Sequence, residues 1–162
     1  MPIKTAEVAF TTGMHFEAET DSGRRFAYDD DPTGGLGPLE SVLTSLAACS
    51  AMDVVSILTK KRQAVTGYWV EVVGNQRDEY PQVYTDVCVT HEVEGRELSE
   101  AAIRRAIELS ATKYCPVSAM IAAGATVVHH RYKIRSEGEV DFAIEGEVLS
   151  TGPYRRPDVI AG

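Results

Sequence analysis

Residues 38–62 read PLESVLTSLAACSAMDVVSILTKKR, and this stretch predicts one long helix around which the remaining segments must pack. Pro38 suits the first position of a helix, because that position needs no backbone N–H donor. Glu40 in the first turn and Lys60 in the last turn both complement the helix dipole. Between these ends nearly every face is small or apolar, which is typical of a helix buried in a core or in a subunit interface.

Composition narrows the class of protein. A chain of 162 residues with 44% hydrophobic and 25% charged residues fits one globular domain. The net charge of −8 disfavours nucleic acid and anionic membrane surfaces as partners, because both attract basic proteins. No run of about 18 apolar residues uninterrupted by charge is present, and the N-terminus lacks an apolar signal-peptide core. We therefore expect a cytoplasmic protein without a membrane partner.

The segments around the helix indicate an α+β fold. Alternating polar and apolar residues predict a three-stranded meander before the helix and a hairpin after it. A second helix is predicted to begin after Ser99 and to run to Cys115, where Pro116 interrupts it and can start a short third helix. In chain order, the predicted strands lie at residues 3–10, 14–19, 24–28, 68–76, 82–93 and 125–135.

The long helix also predicts the assembly. A helix that is apolar on all faces needs cover on all faces, and one small sheet covers one side. The predicted fold is therefore antiparallel sheets packed around a buried central helix, completed as an intertwined homodimer. Residues 1–136 are expected to form the domain. Residues 137–162 are expected to form a C-terminal extension that can add one strand before an extended tail.

Three cysteines give neither an even disulfide framework nor a CxxC pair. In a reducing compartment such thiols are either reactive or simply buried. Cys49 lies at the middle of the long helix, whereas Cys115 stands at a helix break. Cys88 lies between valines in a predicted strand, and we interpret it as a core residue. The residues alone leave both a packing role and a redox role open for Cys49 and Cys115.

Two motifs extend this interpretation. LAACSAMDVVSIL around Cys49, preceded by GGLGPLESVL, and KYCPVSAMI around Cys115 resemble the two cysteine segments of the OsmC/Ohr family of osmotically inducible and organic hydroperoxide resistance proteins, in its OsmC-like branch. The resemblance implies an intertwined α+β homodimer with active sites at the subunit interface. It also implies that Cys49 attacks an organic hydroperoxide and that Cys115 resolves the resulting sulfenic acid as a disulfide. A dithiol reductant, whose identity the sequence does not indicate, would restore both thiols.

The resemblance suggests Glu40, Arg24 and Arg25 as supporting site residues. In the peroxidases of the family a glutamate directly after the helix-starting proline clamps an arginine over the reactive thiol. Here Leu39 holds that place and Glu40 follows one residue later, about 100° further around the helix. Residues 29–37 contain no arginine.

Asp53 and the histidines complete the list of ionisable candidates. Asp53 lies one turn after Cys49 on the same helix face, where a nearby anion disfavours the thiolate form. The spacing of His15, His91, His129 and His130 does not indicate a metal site, and no metal or cofactor is predicted.

Three functions follow as hypotheses. The first is a cysteine-based peroxidase acting on organic hydroperoxides. The second is non-catalytic binding of a small lipophilic ligand in the groove of the dimer, with the cysteines only lining it. The third is a redox-sensing dithiol protein that oxidises without repeated turnover.

Overall fold

The computed structural model describes residues 1–152, so nearly all of the tail predicted to be extended from Thr151 lies outside the described residues. The chain divides into two compact units, Met1–Thr44 and Ser45–Gly162, and each is described by itself.

The first unit is a small antiparallel sheet. Its strands are β1 (Ala6–Thr12), β2 (His15–Thr20) and β3 (Arg25–Tyr28), in the order β1-β2-β3. This arrangement confirms the predicted meander. Gly13, with a φ of +57°, makes the turn between β1 and β2 in a conformation that favours glycine. All of β1 is exposed, and Ala18 on β2 is the buried apolar side chain of these described strands.

Helix α1 runs over Pro38–Lys60, close to its predicted bounds. Its buried residues form one stripe at intervals of four, as expected for neighbours on one helix face. They are Leu46, Ser50, Val54 and Leu58. Met52 and Val55 are exposed in the single chain, 74% and 44% respectively. Of the described helices, α1 alone combines the length and the apolar composition of a membrane-spanning helix, and the core helix of a soluble protein meets the same test.

The second unit contains a four-stranded sheet in the order β4-β5-β6-β7. Its strands are β4 (Ala64–Gln76), β5 (Tyr84–Arg96), β6 (Val127–Glu137) and β7 (Phe142–Thr151). The predicted hairpin is present as the antiparallel pair β4 and β5. The α+β class is confirmed, but the sheet is mixed, because β5 and β6 are parallel. Parallel neighbours need a long crossover, and the two helices between them provide it. Strand β7 lies in the segment considered for an extra strand, and the domain boundary at residue 136 stays a prediction.

The crossover consists of α2 (Glu100–Leu109), a π-helical turn (Ser110–Tyr114) and α3 (Pro116–Ala122). Ser99 caps α2 as predicted, because its side chain accepts a hydrogen bond from the backbone N–H of Ala102 at 3.3 Å. The core of this unit joins α1, α2 and the inner face of the sheet. It includes Val54, Leu58, Val93, Ile103, Ile107 and Ile134.

Candidate functional site

The structure brings Cys49 and Cys115 together. The two Sγ atoms and a carboxylate oxygen of Asp53 all lie within 4.8 Å of one another. Cys49 is half-buried and Cys115 is 3% exposed. The two residues predicted to be catalytic, 66 positions apart in sequence, therefore share one cluster with the aspartate expected on the same helix face as Cys49.

The π-helical turn positions Cys115. Its backbone N–H donates to the carbonyl of Ser110 at 2.9 Å, which closes the wider turn, and its own backbone is extended with φ −74° and ψ 104°. Pro116 then starts α3, whose first turn does not need the proline's missing N–H. Ser118 donates its backbone N–H to the Sγ of Cys115 at 3.3 Å. The predicted helix break thus places the sulfur at the start of α3.

The environment of Cys115 favours its protonated form. Burial, with smaller contributions from the neighbouring Cys49 and Asp53, raises the pKa of the Cys115 thiol to about 12, although the N–H of Ser118 acts in the opposite direction. Burial away from water disfavours a thiolate, and nearby acidic groups add repulsion. Cys115 is therefore a protonated thiol at neutral pH.

A chain of hydrogen bonds, buried at its centre and partly buried at both ends, leads away from Asp53. The hydroxyl of Ser110 donates to Oδ2 of Asp53 at 2.9 Å, and the Oγ atoms of Ser50 and Ser110 are 3.3 Å apart. Ser50 Oγ lies 3.2 Å from Nε2 of His91, and Nδ1 of His91 lies 2.6 Å from the hydroxyl of Tyr68. We call these five residues the Asp53 chain.

The donor and acceptor roles along the Asp53 chain follow from its carboxylate end. A carboxylate oxygen accepts, so Ser110 donates to it and must itself accept from the hydroxyl of Ser50. Ser50 then accepts from Nε2–H of His91, which leaves Nδ1 to accept from Tyr68. Every hydrogen bond is thus donated toward Asp53, and His91 is neutral with its proton on Nε2.

The electrostatics of the Asp53 chain agree with this assignment. Burial lowers the pKa of His91 to about 3, with a smaller contribution from His130. Burial raises the pKa of Tyr68 well above its usual value of 10, with Asp53 adding to the rise. A neutral imidazole and a protonated phenol are the forms that the hydrogen bonds require.

The remaining candidates have contacts of their own within the first unit. Oε2 of Glu40 accepts from the backbone N–H of Gly37 at 3.0 Å and so caps the start of α1. Arg25 pairs with Glu19 at 3.0 Å, and Arg24 is exposed. These three belong to the first unit, and their support of the thiols stays a prediction.

The position of Cys88 differs from the one predicted from the sequence. It is half-buried on the outer face of β5, where its Sγ lies 3.8 Å from Oγ1 of Thr90, so its interpretation as a core residue is wrong. The residues of β5 alternate between faces, and Cys88 shares its face with the polar Thr90 and Glu92. That alternation could have shown its orientation.

Sequence reasoning missed four members of the Asp53 chain: Ser50, Tyr68, His91 and Ser110. The same alternation carries a signal for His91, which shares its face with the buried Val89 and Val93. Ser50 also stands out as a polar residue inside an apolar helix. Neither signal identifies a partner, because the partners are distant in sequence.

Comparison with known proteins gives consistent results. A profile of the family described as OsmC-like protein matches residues 29–130. Protein YhfA from Escherichia coli strain K12 is 38% identical over 125 residues, which cover 76% of this chain and 93% of YhfA. A hypothetical protein from Aquifex aeolicus VF5 is 28% identical with a TM-score of 0.74, covering 85% of this chain and 99% of that one. An organic hydroperoxide resistance protein OsmC from Legionella pneumophila has a TM-score of 0.57 at 13% identity, covering 86% and 98%; this likeness shows the fold alone.

Proposed function

The chain belongs to the OsmC-like protein family, and from this premise we propose that it is a thiol-dependent peroxidase that reduces organic hydroperoxides. Cys49 is the attacking thiol and Cys115 the resolving thiol. The observation that carries the proposal is the approach of the two sulfur atoms to within 4.8 Å. A disulfide needs about 2.05 Å between sulfurs, a distance that side-chain rotation and small helix shifts can reach from there.

The different burial of the two thiols supports their roles. Cys49 is half-buried and accessible to a substrate, whereas Cys115 is buried and its pKa is raised to about 12. A protonated thiol is a poor nucleophile toward a peroxide. Cys115 therefore reacts only once the sulfenic acid has formed on the neighbouring Cys49.

The proposed cycle has three steps. The thiolate of Cys49 attacks one peroxide oxygen, the O–O bond breaks, and the alkoxide leaves and takes up a proton as an alcohol. The sulfur of Cys115 then attacks the sulfenic sulfur of Cys49, so that an S–S bond forms and water leaves. A dithiol reductant finally exchanges with this disulfide, returning two thiols to the chain and becoming a disulfide itself.

The surroundings of Cys49 favour an organic substrate. Met52 lies three residues after Cys49 on the same side of α1 and is 74% exposed. An apolar side chain beside the thiol attracts the carbon part of an organic hydroperoxide, which hydrogen peroxide lacks.

A second copy of the chain belongs to the same proposal. Met52 and Val55 remain exposed on an apolar helix. An exposed apolar surface of this kind marks a site where a protein partner or a membrane binds. We infer an intertwined homodimer in the cytoplasm, without a membrane or nucleic-acid partner, in which a second chain covers α1.

One observation favours a second candidate, a redox-sensing dithiol protein. Asp53 accepts a hydroxyl hydrogen bond and, within residues 1–152, has no ion pair with a basic side chain. An uncompensated carboxylate beside two thiols disfavours thiolates and slows repeated turnover. A sensor needs only one oxidation event.

Turnover assays distinguish these functions. The reduced chain is mixed with cumene hydroperoxide and an excess of a small dithiol, and the consumption of peroxide is followed with time. We expect many equivalents to be consumed by the wild type and by the matched control Cys88→Ser, and none above background by Cys49→Ser. In the absence of the dithiol, Cys115→Ser should consume one equivalent and stop at the sulfenic acid, without forming the internal disulfide.

Two results would decide against the peroxidase. Consumption that stops at one equivalent per wild-type chain, with formation of the disulfide, indicates the sensor. Equal consumption by wild type and Cys49→Ser removes Cys49 from the chemistry altogether.

A further inference from the structure

We propose that Cys49, Asp53 and Cys115 form a binding site for a thiophilic divalent cation of the Zn²⁺ type when both thiols are reduced. The cluster combines two sulfur ligands and one carboxylate oxygen within 4.8 Å of one another. The proposal rests on this geometry and is independent of whether the chain reduces peroxides.

The spacing suits a tetrahedral ion. With Zn–S bonds of about 2.3 Å and Zn–O bonds of about 2.1 Å, two ligand atoms on one tetrahedral zinc lie roughly 3.5–3.8 Å apart. Ligand atoms within 4.8 Å therefore need to close by about 1 Å at most. Three protein atoms fill three of the four positions, and the fourth remains for water or another small ligand, as in zinc sites with three protein ligands.

The local charges also favour a cation. All three side chains are acids, and each one that ionises makes ionisation of the others harder. Burial is the main cause of the raised pKa of Cys115, and Cys49 and Asp53 add to it. The described part of the chain places no basic side chain in an ion pair with Asp53. A bound divalent cation reverses this relation, because it stabilises the thiolates and the carboxylate together.

Neighbouring groups orient two of the three ligands. Ser110 holds Oδ2 of Asp53 at 2.9 Å, which leaves the other carboxylate oxygen for an ion. The N–H of Ser118 points to the Sγ of Cys115 at 3.3 Å and can remain there when that sulfur is a thiolate. Such outer hydrogen bonds fix ligand geometry and strengthen metal binding.

Binding and oxidation compete for the same sulfurs. Two thiols and one Zn²⁺ give a zinc dithiolate and two released protons, so affinity rises with pH. A disulfide between Cys49 and Cys115 has given up two electrons and no longer offers thiolates. The ion is therefore bound by the reduced chain and released when the disulfide forms.

Cobalt titration tests the site directly. Co²⁺ is added to the fully reduced chain without oxygen, and absorption from sulfur-to-cobalt charge transfer is recorded, followed by displacement with Zn²⁺. We expect one ion and two released protons per chain in the wild type and in the matched control Cys88→Ser. Cys49→Ser and Cys115→Ser should lose the charge-transfer band. Asp53→Asn, which keeps an oxygen for Ser110, should weaken binding at least about tenfold.

Several outcomes would overturn the proposal. They are the absence of a charge-transfer band in the folded wild type, a band that survives Cys49→Ser, and affinity unchanged by Asp53→Asn. Because a variant can fail to fold, the wild type oxidised to its internal disulfide provides a measurement free of mutation, and it should not bind Co²⁺. Cobalt binding without peroxide turnover would support this site and reject the peroxidase, while turnover without cobalt binding would do the reverse.

Discussion

His91 and His130 lie fully buried on the same face of neighbouring strands, but their surroundings differ. Parallel pairing sets Val89 beside His130 and His91 beside Tyr132. His91 has hydrogen-bond partners on both ring nitrogens, Tyr68 at 2.6 Å and Ser50 at 3.2 Å. Within the part of the chain that the structure describes, neither ring nitrogen of His130 has a partner. The two histidines are therefore equally buried, but only His91 belongs to a hydrogen-bonded chain.

The difference shows what makes a buried polar side chain part of a site. His91 continues the chain of donors that ends on Asp53 beside the thiols, so its burial maintains the geometry of the cluster. An unpartnered buried imidazole pays the cost of leaving water without a compensating hydrogen bond. We expect His130 to lower the stability of the fold and His91 to raise it at neutral pH.

Acidification should give the largest effect, because it acts on both histidines. Burial lowers the pKa of His91 to about 3 and that of His130 to about 4, against about 6.5 in an unfolded chain. Between about pH 6 and pH 4 the unfolded state binds more protons, so stability that is complete above pH 6.5 is lost as the pH falls. Each histidine can contribute a slope of about 1.36 kcal/mol per pH unit. The free energy of unfolding should therefore drop by up to about 2.7 kcal/mol per pH unit. Urea unfolding at pH 7, 6 and 5 measures this slope.

Carboxylates titrate mostly below the pH range in which the two histidines act. Hydrogen bonds from Asp31 and His15 lower the pKa of Asp29 from its usual value of 3.8, so its contribution disappears only below that pH. An unfolding free energy that stays constant between pH 7 and pH 5 would show that the two histidines are not buried as neutral groups.

His91→Leu should have the next largest effect. It removes the acceptor of the Tyr68 hydroxyl and the donor to Ser50, and each buried group left unpaired costs about 1–3 kcal/mol. We expect a loss of about 2–4 kcal/mol at pH 7, measured by urea unfolding. Tyr68→Phe is the matched control, because it removes a single hydrogen bond and should cost about 1 kcal/mol. Equal losses in the two variants would mean that the bond between His91 and Ser50 contributes nothing.

His130→Leu should have the smallest effect and the opposite sign. Leucine has a similar volume and needs no partner, so the free energy of unfolding at pH 7 should rise by about 1 kcal/mol. The dependence on acid pH should also fall to roughly half, since one titrating histidine remains. A loss of stability in this variant would show that His130 has a favourable contact, and the contrast with His91 would then disappear.

Much of the fold could be predicted from local patterns. Pro38 and the glycine-rich approach mark the start of α1, Ser99 marks the start of α2, and the Cys115–Pro116 step marks the helix break. The position of Asp53 beside Cys49 also follows from the helix period. The parallel pairing of β5 and β6 was not predicted, because strand patterns do not record the direction of a neighbour.

Local sequence patterns predicted only part of the candidate site. The pairing of Cys49 with Cys115 was predicted from the resemblance to a family. The alternation of residues along β5 indicates that Cys88 faces outward and His91 inward. The contacts of Ser50 with Ser110 and of Tyr68 with His91 had no such signal.

The sequence by itself determined the helices, the strand alternation and the face that Cys49 shares with Asp53, because these depend on the repeat of the backbone over a few residues. Tertiary structure alone decided which polar groups meet in the core. Ser50 and Ser110 are 60 residues apart, and only the packing of α1 against the end of α2 brings their hydroxyls to 3.3 Å. Packing of whole elements therefore joins Tyr68, His91 and the two serines to Asp53, and it leaves His130 without a partner among the described residues.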